Sequence, residues 1–511
     1  MSTSTFVGFA ALLVALFVWF RKPSKASSST PLPPGPKPLP VLGNVRDLTA
    51  KELWLPATQW GKDFGDVVYL HVFGQGLVFL NSPEAVFDLL DKRGSIYSDK
   101  PQLIMICDLC GCKNMVAFTG YNEQSKRHRK LMHQAFAPKV INTYHPLMIS
   151  ETHDFLRRLI ADPSGYMAHT RRYSGGLTLS VVYGYEAAPH DDKFLAMAEE
   201  TVDLLANRIA SGGGIWPVDI LPFLQYLPLW APGAGFLRNA AKWKATLEEC
   251  VEKPYEYLKE SMKSGNYTQS FCSMLLDENK ATEEFEFDLK WVANSMYASS
   301  MDTVITTIAH FLLAMMHNPE ALAKAQKEID TVVGSDRLPD FNDRSSLPYV
   351  DAIFSETLRW GVPVPLNLPH RLMEDDVYNG KFIPKGSLVF GNIWAIVRDE
   401  RIYPKASEFI PERFLEEVDE ATARRRDPRN YVFGFGRRQC PGNYLVESSI
   451  WLLMASMLAT LKISKPVDEE GNVIEPKVEF KNPVFRIPTP FKCDIRPRSE
   501  AVLNVIRQNT A

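Results

Sequence analysis

The stretch Phe433-Gly-Phe-Gly-Arg-Arg-Gln-Cys440-Pro-Gly442 places one cysteine among three glycines, two arginines and two phenylalanines. Because glycine has no side chain, these positions let the backbone approach a large flat ligand closely. The apolar run over residues 444–461 predicts a buried helix, with Cys440 at its N-terminus and Pro441 in its first turn. The free N–H groups and positive dipole end of such a helix stabilise a sulfur anion. The pattern indicates a metal-bound thiolate; the alternative is a structural cysteine in a Gly-rich turn.

Composition narrows the class of protein. The chain has 511 residues, 45% of them hydrophobic, which is enough for a large core, and no clean linker divides it. The net charge of -3 gives no indication of a nucleic-acid partner. Seven scattered cysteines argue against a disulfide framework and favour a reducing compartment. Cys107, Cys110 and Cys112 lack a partner pair that would complete a metal site, so we interpret them as buried apolar residues.

The N-terminal residues 1–22 predict a membrane anchor. Residues 6–20 are uncharged and apolar, and Arg21 and Lys22 follow at once. A cleaved signal peptide is the alternative, but basic residues after the apolar run place the remainder of the chain in the cytosol. The basic, proline-rich residues 23–44 predict a stiff hinge, and residues 45–511 form the predicted catalytic body.

Residues 288–317 predict a long buried helix that ends at Asn318-Pro319. Its expected length is about 45 Å at 1.5 Å per residue. Asp302 and Thr303 interrupt its apolar pattern. Because a buried aspartate is rare without a partner, this position favours a functional role.

Shorter motifs predict local elements. Residues 67–73 and 77–80 predict a β-hairpin, and Asn379-Gly380 predicts a second one. Ser82 before Pro83 is typical of a helix N-cap. A helix from Pro348 carries Glu356 and Arg359 on one face, a spacing that by default gives a weak surface ion pair.

Three motifs together resemble the signatures of the cytochrome P450 family, in the expected order. Phe433-x-x-Gly436-x-Arg438-x-Cys440-x-Gly442 is similar to the family's haem-binding loop, Glu356-Thr-Leu-Arg359 to its second signature, and Pro411-Glu-Arg413-Phe to its third. Residues 121–136 and 369–376 are most similar to fungal microsomal members. The resemblance implies a mainly α fold with small β-sheets after an N-terminal transmembrane helix. It also implies haem b, held between the long helix and the Cys440 loop.

The resemblance also implies roles for individual residues. Cys440 would be the axial thiolate ligand of the haem iron, and Asp302 and Thr303 would relay protons to bound oxygen. The residues that would contact the haem are Arg129, His370, Phe433, Gly436, Arg438 and Gly442. Those of a buried network supporting the thiolate loop are Glu356, Arg359 and Arg413. Ser125 and Ser300 depart from the family, which usually has tryptophan and glycine there.

The implied activity is that of a membrane-bound haem-thiolate monooxygenase that hydroxylates or otherwise oxidises a lipophilic small molecule, in secondary metabolism or xenobiotic oxidation. No Gly-x-Gly-x-x-Gly dinucleotide site is present, so electrons from NADPH require a separate NADPH-cytochrome P450 reductase, with cytochrome b5 as an optional second donor. The reductase would dock on basic residues, namely Arg424, Arg425, Arg426 and Arg437. The implied location is the endoplasmic reticulum membrane, with a single span and the catalytic body on the cytosolic face.

Two alternatives stay open at this level. A reductase-independent haem-thiolate isomerase or dehydratase would not need the Asp302-Thr303 relay. A non-catalytic haem-binding membrane protein would take up haem without consuming NADPH.

The apolar, proline-interrupted residues 204–236 predict a lid that also touches the membrane surface. The sequence does not determine the substrate, which depends on pocket detail.

Overall fold

The fold is mainly helical with three small sheets over the residues that the computed structural model describes, 30–210, 215–278, 282–480 and 484–508. This confirms the predicted mainly α fold with small β-sheets. The predicted membrane anchor and residues 23–29 of the predicted hinge lie outside the described residues.

The helices follow one another along almost the whole described chain. In order they are α1 (Trp54–Phe64), α2 (Pro83–Val86), α3 (Gly94–Tyr97), α4 (Glu123–Phe136), α5 (Pro138–Ile141), α6 (His145–Ala161), α7 (Tyr166–Tyr183), α8 (Lys193–Asp203), α9 (Pro217–Ile220), α10 (Gly235–Ser264), α11 (Phe271–Glu278), α12 (Glu283–Ser299), α13 (Met301–His317), α14 (Pro319–Val332), α15 (Pro348–Gly361), α16 (Ile393–Val397), α17 (Glu420–Arg426), α18 (Arg429–Val432), α19 (Asn443–Thr460) and α20 (Glu500–Gln508).

The strands form sheets at the side of this helical body. They are β1 (Val67–Val72), β2 (Gln75–Leu80), β3 (His370–Arg371), β4 (Asp376–Tyr378), β5 (Lys381–Ile383), β6 (Leu388–Gly391), β7 (Leu461–Ser464) and β8 (Asp494–Pro497). The largest sheet has the order β1-β2-β6-β3, with β2 and β6 parallel and the other neighbours antiparallel. The antiparallel pairs β4-β5 and β7-β8 form the other two.

The two predicted hairpins and the predicted helix N-cap are present, although the first turn lies earlier than the sequence predicts. β1 and β2 form a hairpin whose turn residues Phe73 and Gly74 have φ values of 47° and 83°. Asn379 and Gly380, with φ values of 47° and 70°, join β4 to β5 in the same way. Such left-handed pairs match the twist of the flanking strands. The Ser82 hydroxyl caps α2 by accepting the Ala85 N–H at 3.3 Å.

The predicted long helix is interrupted once. It begins at Glu283, breaks at Ser300 and ends at His317, so it comprises α12 and α13. By length and composition it is the one helix among the described residues that could cross a membrane, and 78% of its most apolar window is buried in the protein. α13 packs against α7, α15 and α19, and it therefore runs through the centre of the main core.

The described part of the proline-rich segment packs on the sheets. The carbonyl of Pro34 accepts the Tyr69 N–H at 3.1 Å, and the carbonyl of Pro31 accepts the Phe382 N–H at 2.8 Å. A Cβ at Gly35 would lie 2.1 Å from the carbonyl oxygen of Tyr69, so only glycine permits this approach. Residues 31–35 therefore follow the body closely before the chain enters it.

Candidate functional site

The Cys440 loop is a tight backbone structure that precedes α19. The Cys440 N–H donates to the carbonyl of Phe433 at 2.7 Å, which closes the loop over residues 433–440. α19 begins at Asn443 with Gly442 as its N-cap. The prediction that Pro441 lies in the first helical turn is therefore wrong. Cys440 stands just before the helix, where the N–H of Gly442 forms a hydrogen bond with its sulfur.

Two loop glycines have backbone conformations that disfavour other residues. Gly434 and Gly436 have φ values of 77° and 53°. A Cβ at Gly436 would lie 2.2 Å from the carbonyl oxygen of Leu90, which no relaxation of a side chain could relieve. At Gly442 the nearest such contact is 4.0 Å away, so glycine leaves open space there. The loop is thus shaped both by close backbone contact and by the absence of side chains.

The Cys440 thiol stands in a balanced electrostatic setting. The side chain is accessible to solvent, yet it is enclosed closely enough that burial raises the pKa of the thiol. The N–H of Gly442 and the guanidinium of Arg129 act in the opposite direction on this pKa, because both stabilise the thiolate. A positive metal ion would shift the balance further towards the thiolate.

Arg129, Arg438 and His370 lie around this loop. Arg129 Nη2 donates to the carbonyl of Gln439, next to Cys440, at 3.0 Å. Arg438 donates through Nε to Ser98 and through Nη2 to Thr119, each at 2.7 Å to the carbonyl oxygen. His370 Nδ1 donates to the carbonyl of Tyr97 at 2.8 Å. The structure therefore brings the three predicted haem-contacting polar residues into one region.

Lys100 is a further basic residue of this region, and the sequence alone did not predict it. Its side chain is buried, and Nζ donates to the carbonyls of Leu368 and Pro369 at 3.0 and 3.2 Å. Burial, together with the nearby charges of Arg438 and Arg129, lowers its pKa well below the usual value. Its neighbours Ser98, Asp99 and Gln102 are polar, so the sequence pattern gives no signal that this lysine is buried.

The cation cluster of Lys100, Arg129 and Arg438 fits the two propionates of haem. Burial, and after it the charge of Arg129, lower the pKa of Arg438 to about 10, because the guanidinium lies away from water beside a second cation. Asp99 offsets part of this positive charge but also pairs with Arg371 at 2.6 Å. Arg438 Nη1 is buried and has no hydrogen-bond partner among the described residues. Two carboxylates would supply the missing acceptors and charge.

Ser125, which stands where the family usually has tryptophan, has a helix-capping role. Its hydroxyl accepts the Asn122 N–H at 3.1 Å, and the Asn122 side chain accepts the Ser125 N–H at 3.0 Å. This reciprocal capping box starts α4 at Glu123, six residues before Arg129. The short side chain is buried in the cap, and the cation cluster gains no donor from it.

Asp302 and Thr303 lie at the start of α13, directly after the break. Burial raises the pKa of Asp302 to about 6; Arg171 opposes this shift, whereas Glu199 and Asp203 add to it. The hydroxyls of the two following threonines, Thr306 and Thr307, donate to the carbonyls of Asp302 and Thr303 at 2.6 and 2.8 Å. The Thr303 hydroxyl makes no hydrogen bond to any described residue, so it is available to water or substrate.

Glu356, Arg359 and Arg413 form a buried ion network rather than the surface pair that their spacing alone would give. Arg359 binds Glu356 through Nε and Nη2 at 2.6 and 2.7 Å, and Arg413 Nε lies 3.3 Å from the same carboxylate. Arg359 also donates to the carbonyls of Val397, Ala406 and Glu408. The network thereby fixes α15 to the segment that leads into the Cys440 loop.

Comparisons with known proteins agree with this geometry. The sequence model of the cytochrome P450 family matches residues 33–491. The chain is 41% identical over 480 residues to cytochrome P450 monooxygenase claT of Ampulloclitocybe clavipes, covering 93% of each chain. It is 37% identical over 503 residues to cytochrome P450 monooxygenase 176 of Postia placenta, covering 97% of this chain and 96% of the relative.

A third relative, cytochrome P450 monooxygenase 208 of Postia placenta, is 39% identical over 494 residues, covering 96% of this chain and 95% of the relative. Members of the family bind the iron of haem b through a cysteine thiolate, the ligand type that Cys440 provides. The chain therefore belongs to the cytochrome P450 family and is a haem-thiolate monooxygenase.

Proposed function

We propose that this monooxygenase hydroxylates a lipophilic small molecule at a membrane surface, with electrons that NADPH-cytochrome P450 reductase delivers from NADPH. When bound, haem supplies oxygen activation and the oxidation of a C–H bond. The protein binds and orients the substrate, excludes bulk water and delivers protons. Secondary metabolism or xenobiotic oxidation fits such a substrate.

An apolar cluster next to the helix break is the observation that carries the proposal. It brings together Met105, Ile106, Met115, Ile209, Leu247 and Ala298, with Phe118, Trp216 and Trp291 packed against them. Ala298 lies in α12 only four residues before Asp302. A lipophilic molecule held by this cluster would lie beside the residues proposed to handle protons.

Asp302 and Thr303 would move protons in this reaction. A carboxyl with a pKa of about 6 both holds and releases a proton near neutral pH, which is the property a proton relay needs. The Thr303 hydroxyl, which has no partner among the described residues, can hold a water molecule that exchanges protons with the Asp302 carboxyl group. A reductase-independent isomerase would gain nothing from this pair, and we therefore favour the monooxygenase with an external electron donor.

Basic side chains near the Cys440 loop support reductase docking. Arg437 and Lys126 both lie against the ring of Tyr121, at 5.5 and 5.9 Å from its centroid. Arg424 is exposed, while Arg425 pairs with Glu84 and Arg426 with Glu416. An acidic protein surface could approach this side, on which Arg437 stands three residues before Cys440.

Exposed apolar residues support contact with a membrane. Tyr226 and Trp230 expose 80% and 84% of their surface, and Leu229 exposes 58%. Ile220, a few residues earlier, and Val45 in the proline-rich segment both pack against the apolar cluster beside the large sheet. The predicted anchor in residues 1–22 and an endoplasmic reticulum location with a cytosolic body remain part of this proposal.

The test is expression of the full chain in yeast microsomes with and without the reductase. We expect a thiolate-type Soret band for the reduced carbon monoxide complex, and NADPH consumption only when the reductase is present. Haem uptake without NADPH consumption would favour the non-catalytic alternative. Cytochrome b5 added to the same microsomes tests whether it acts as a second donor.

The variant Thr303→Ala tests the proton role. We expect it to divert a larger share of NADPH into hydrogen peroxide, by up to about a hundredfold, the lower end of general acid–base effects. Thr307→Ala is the matched control, because its hydroxyl is already bound to a backbone carbonyl. Equal peroxide yields from the two variants would contradict the role of Thr303.

A further inference from the structure

The break at Ser300 is surrounded by side-chain hydrogen bonds to the backbone. Ser299 Oγ donates to the carbonyl of Ser295 at 2.7 Å, and Ser300 Oγ donates to that of Tyr297 at 2.9 Å. The Ser300 N–H also turns to Tyr297, at 3.3 Å, instead of continuing the α-helical ladder. Such back-bonding serines bend helices. These two serine hydroxyls therefore stabilise the break through hydrogen bonds within the same helix.

One hydrogen bond reaches the break from another helix. Ser174 Oγ, in α7, donates to the carbonyl of Ser300 at 2.6 Å across 126 residues of sequence. The next residue, Gly175, leaves room for the side chains of Met301 and Leu195. A Cβ at Gly175 would lie 3.0 Å from Met301 Sδ and 2.4 Å from a methyl carbon of Leu195.

We propose that Ser174 is a positioning residue for oxygen-side proton delivery: its hydroxyl fixes the helix break from which Asp302 and Thr303 project. This inference rests on the proposed function. Ser300 is the N-cap of α13, and Asp302 and Thr303 are its second and third residues. Their side-chain directions therefore depend on the orientation of the first turn, which the Ser174 bond fixes.

The same face of α7 also acts on Asp302 electrostatically. Arg171 stands one turn before Ser174, the spacing that places two side chains on one face. It lowers the pKa of Asp302 against the effect of burial, and it is paired with Glu199 at 3.0 Å. α7 thus contributes both a fixed hydrogen bond to the break and a positive charge near the carboxyl group beyond it.

The variants Ser174→Ala and Ser174→Thr test the inference, with Ser180→Ala as the matched control. Ser180 is on the same helix, and its hydroxyl donates to a carbonyl, that of Tyr185, at 3.1 Å. The first measurement is amide hydrogen exchange of residues 297–304 in the haem-loaded chain, which requires no substrate. The second is the ratio of hydrogen peroxide formed to NADPH consumed in the presence of the reductase.

We expect amide exchange at residues 297–304 to rise about fivefold in Ser174→Ala, and to stay at the wild-type rate in Ser174→Thr and Ser180→Ala. The peroxide ratio should rise in Ser174→Ala alone, while its thiolate-type Soret band is unchanged. Wild-type exchange at the break in Ser174→Ala would overturn the inference. Absence of the thiolate-type Soret band or of NADPH consumption in the wild type would instead overturn the proposed function. The amide exchange measurement would still decide whether Ser174 fixes the helix break.

Discussion

The two sides of the site are built in opposite ways. On the thiolate side, Glu356 and Arg359 are fully buried, and their charged atoms are matched by ion pairs and backbone carbonyls. On the oxygen side, α12 and α13 are interrupted, Asp302 is half-buried, and Thr303 has an unused hydroxyl.

This difference agrees with the roles that we propose for the two sides, metal ligation by Cys440 and proton transfer by Asp302 and Thr303. A metal ligand has to stay in one place, and a fully paired buried network is rigid because each unpaired charge would be costly. A proton relay has to exchange partners, so its groups cannot all be engaged in the resting protein. Substitutions on the thiolate side should therefore destroy the site, and those on the oxygen side should change how it works.

Loss of the ligand should have the largest effect. Cys440→Ser replaces the thiolate by a hydroxyl that stays protonated at neutral pH, so we expect complete loss of the thiolate-type Soret band and of activity. Cys493→Ser, at a half-buried cysteine outside the loop, is the control. A normal spectrum in Cys440→Ser would mean that another residue binds the iron.

Removal of the network acid should be nearly as severe. Glu356→Ala leaves Arg359 and Arg413 buried without their carboxylate, and breaking a buried pair in this way costs about 3–5 kcal/mol. We expect Glu356→Ala to give little folded, haem-loaded protein, and a urea unfolding series should show the loss of unfolding free energy. Glu416→Ala, which removes an exposed partner of Arg426, should cost less than about 1 kcal/mol. Equal losses of unfolding free energy in the two variants would show that the buried network does not stabilise the fold more than a surface pair does.

The cation cluster should control how long haem is retained. Lys100→Met removes one charge of the cation cluster but keeps the apolar stem, and we expect haem to transfer to apomyoglobin about tenfold faster, equivalent to about 1.4 kcal/mol. Lys92→Met is the control, because Lys92 is exposed and pairs with Asp88. An unchanged transfer rate would remove Lys100 from the set of propionate contacts.

The smallest effect should be the pH dependence that Asp302 adds to stability. Its folded pKa, about 6, is above the ordinary value of 3.8, so the folded state binds the proton more tightly than the unfolded state. The stability it contributes is fully present below pH 3.8 and is lost as the pH rises through 6. We therefore expect Asp302→Asn to gain in unfolding free energy relative to wild type between pH 5 and pH 7.5.

The control for this measurement is Asp336→Asn, at an exposed aspartate. Its stability relative to wild type should not change over the same pH range. A constant difference between Asp302→Asn and wild type would show that the folded protein does not perturb Asp302.

Much of the fold was predictable because local chemistry controls it. Asn379-Gly380 requires left-handed backbone, Ser82-Pro83 begins a helix, and Asn318-Pro319 ends one. Two predictions about helix geometry were less successful. α19 begins after Gly442 rather than at Pro441, and the long helix breaks at Ser300. Both depend on which backbone groups find partners elsewhere in the protein, and a linear pattern does not contain that information.

The sequence by itself determined the family, the thiolate ligand and the mainly helical fold, because each rests on residue types at fixed spacings: the Cys440 loop, Glu356 with Arg359, and Asp302 with Thr303. Only the tertiary structure decided that Lys100 belongs to the cation cluster, that Ser125 is used in a helix cap, and that Ser174 holds the break at Ser300. These three roles depend on contacts between distant segments or on burial. Such contacts form when the whole core packs, so their partners cannot be read from neighbouring residues.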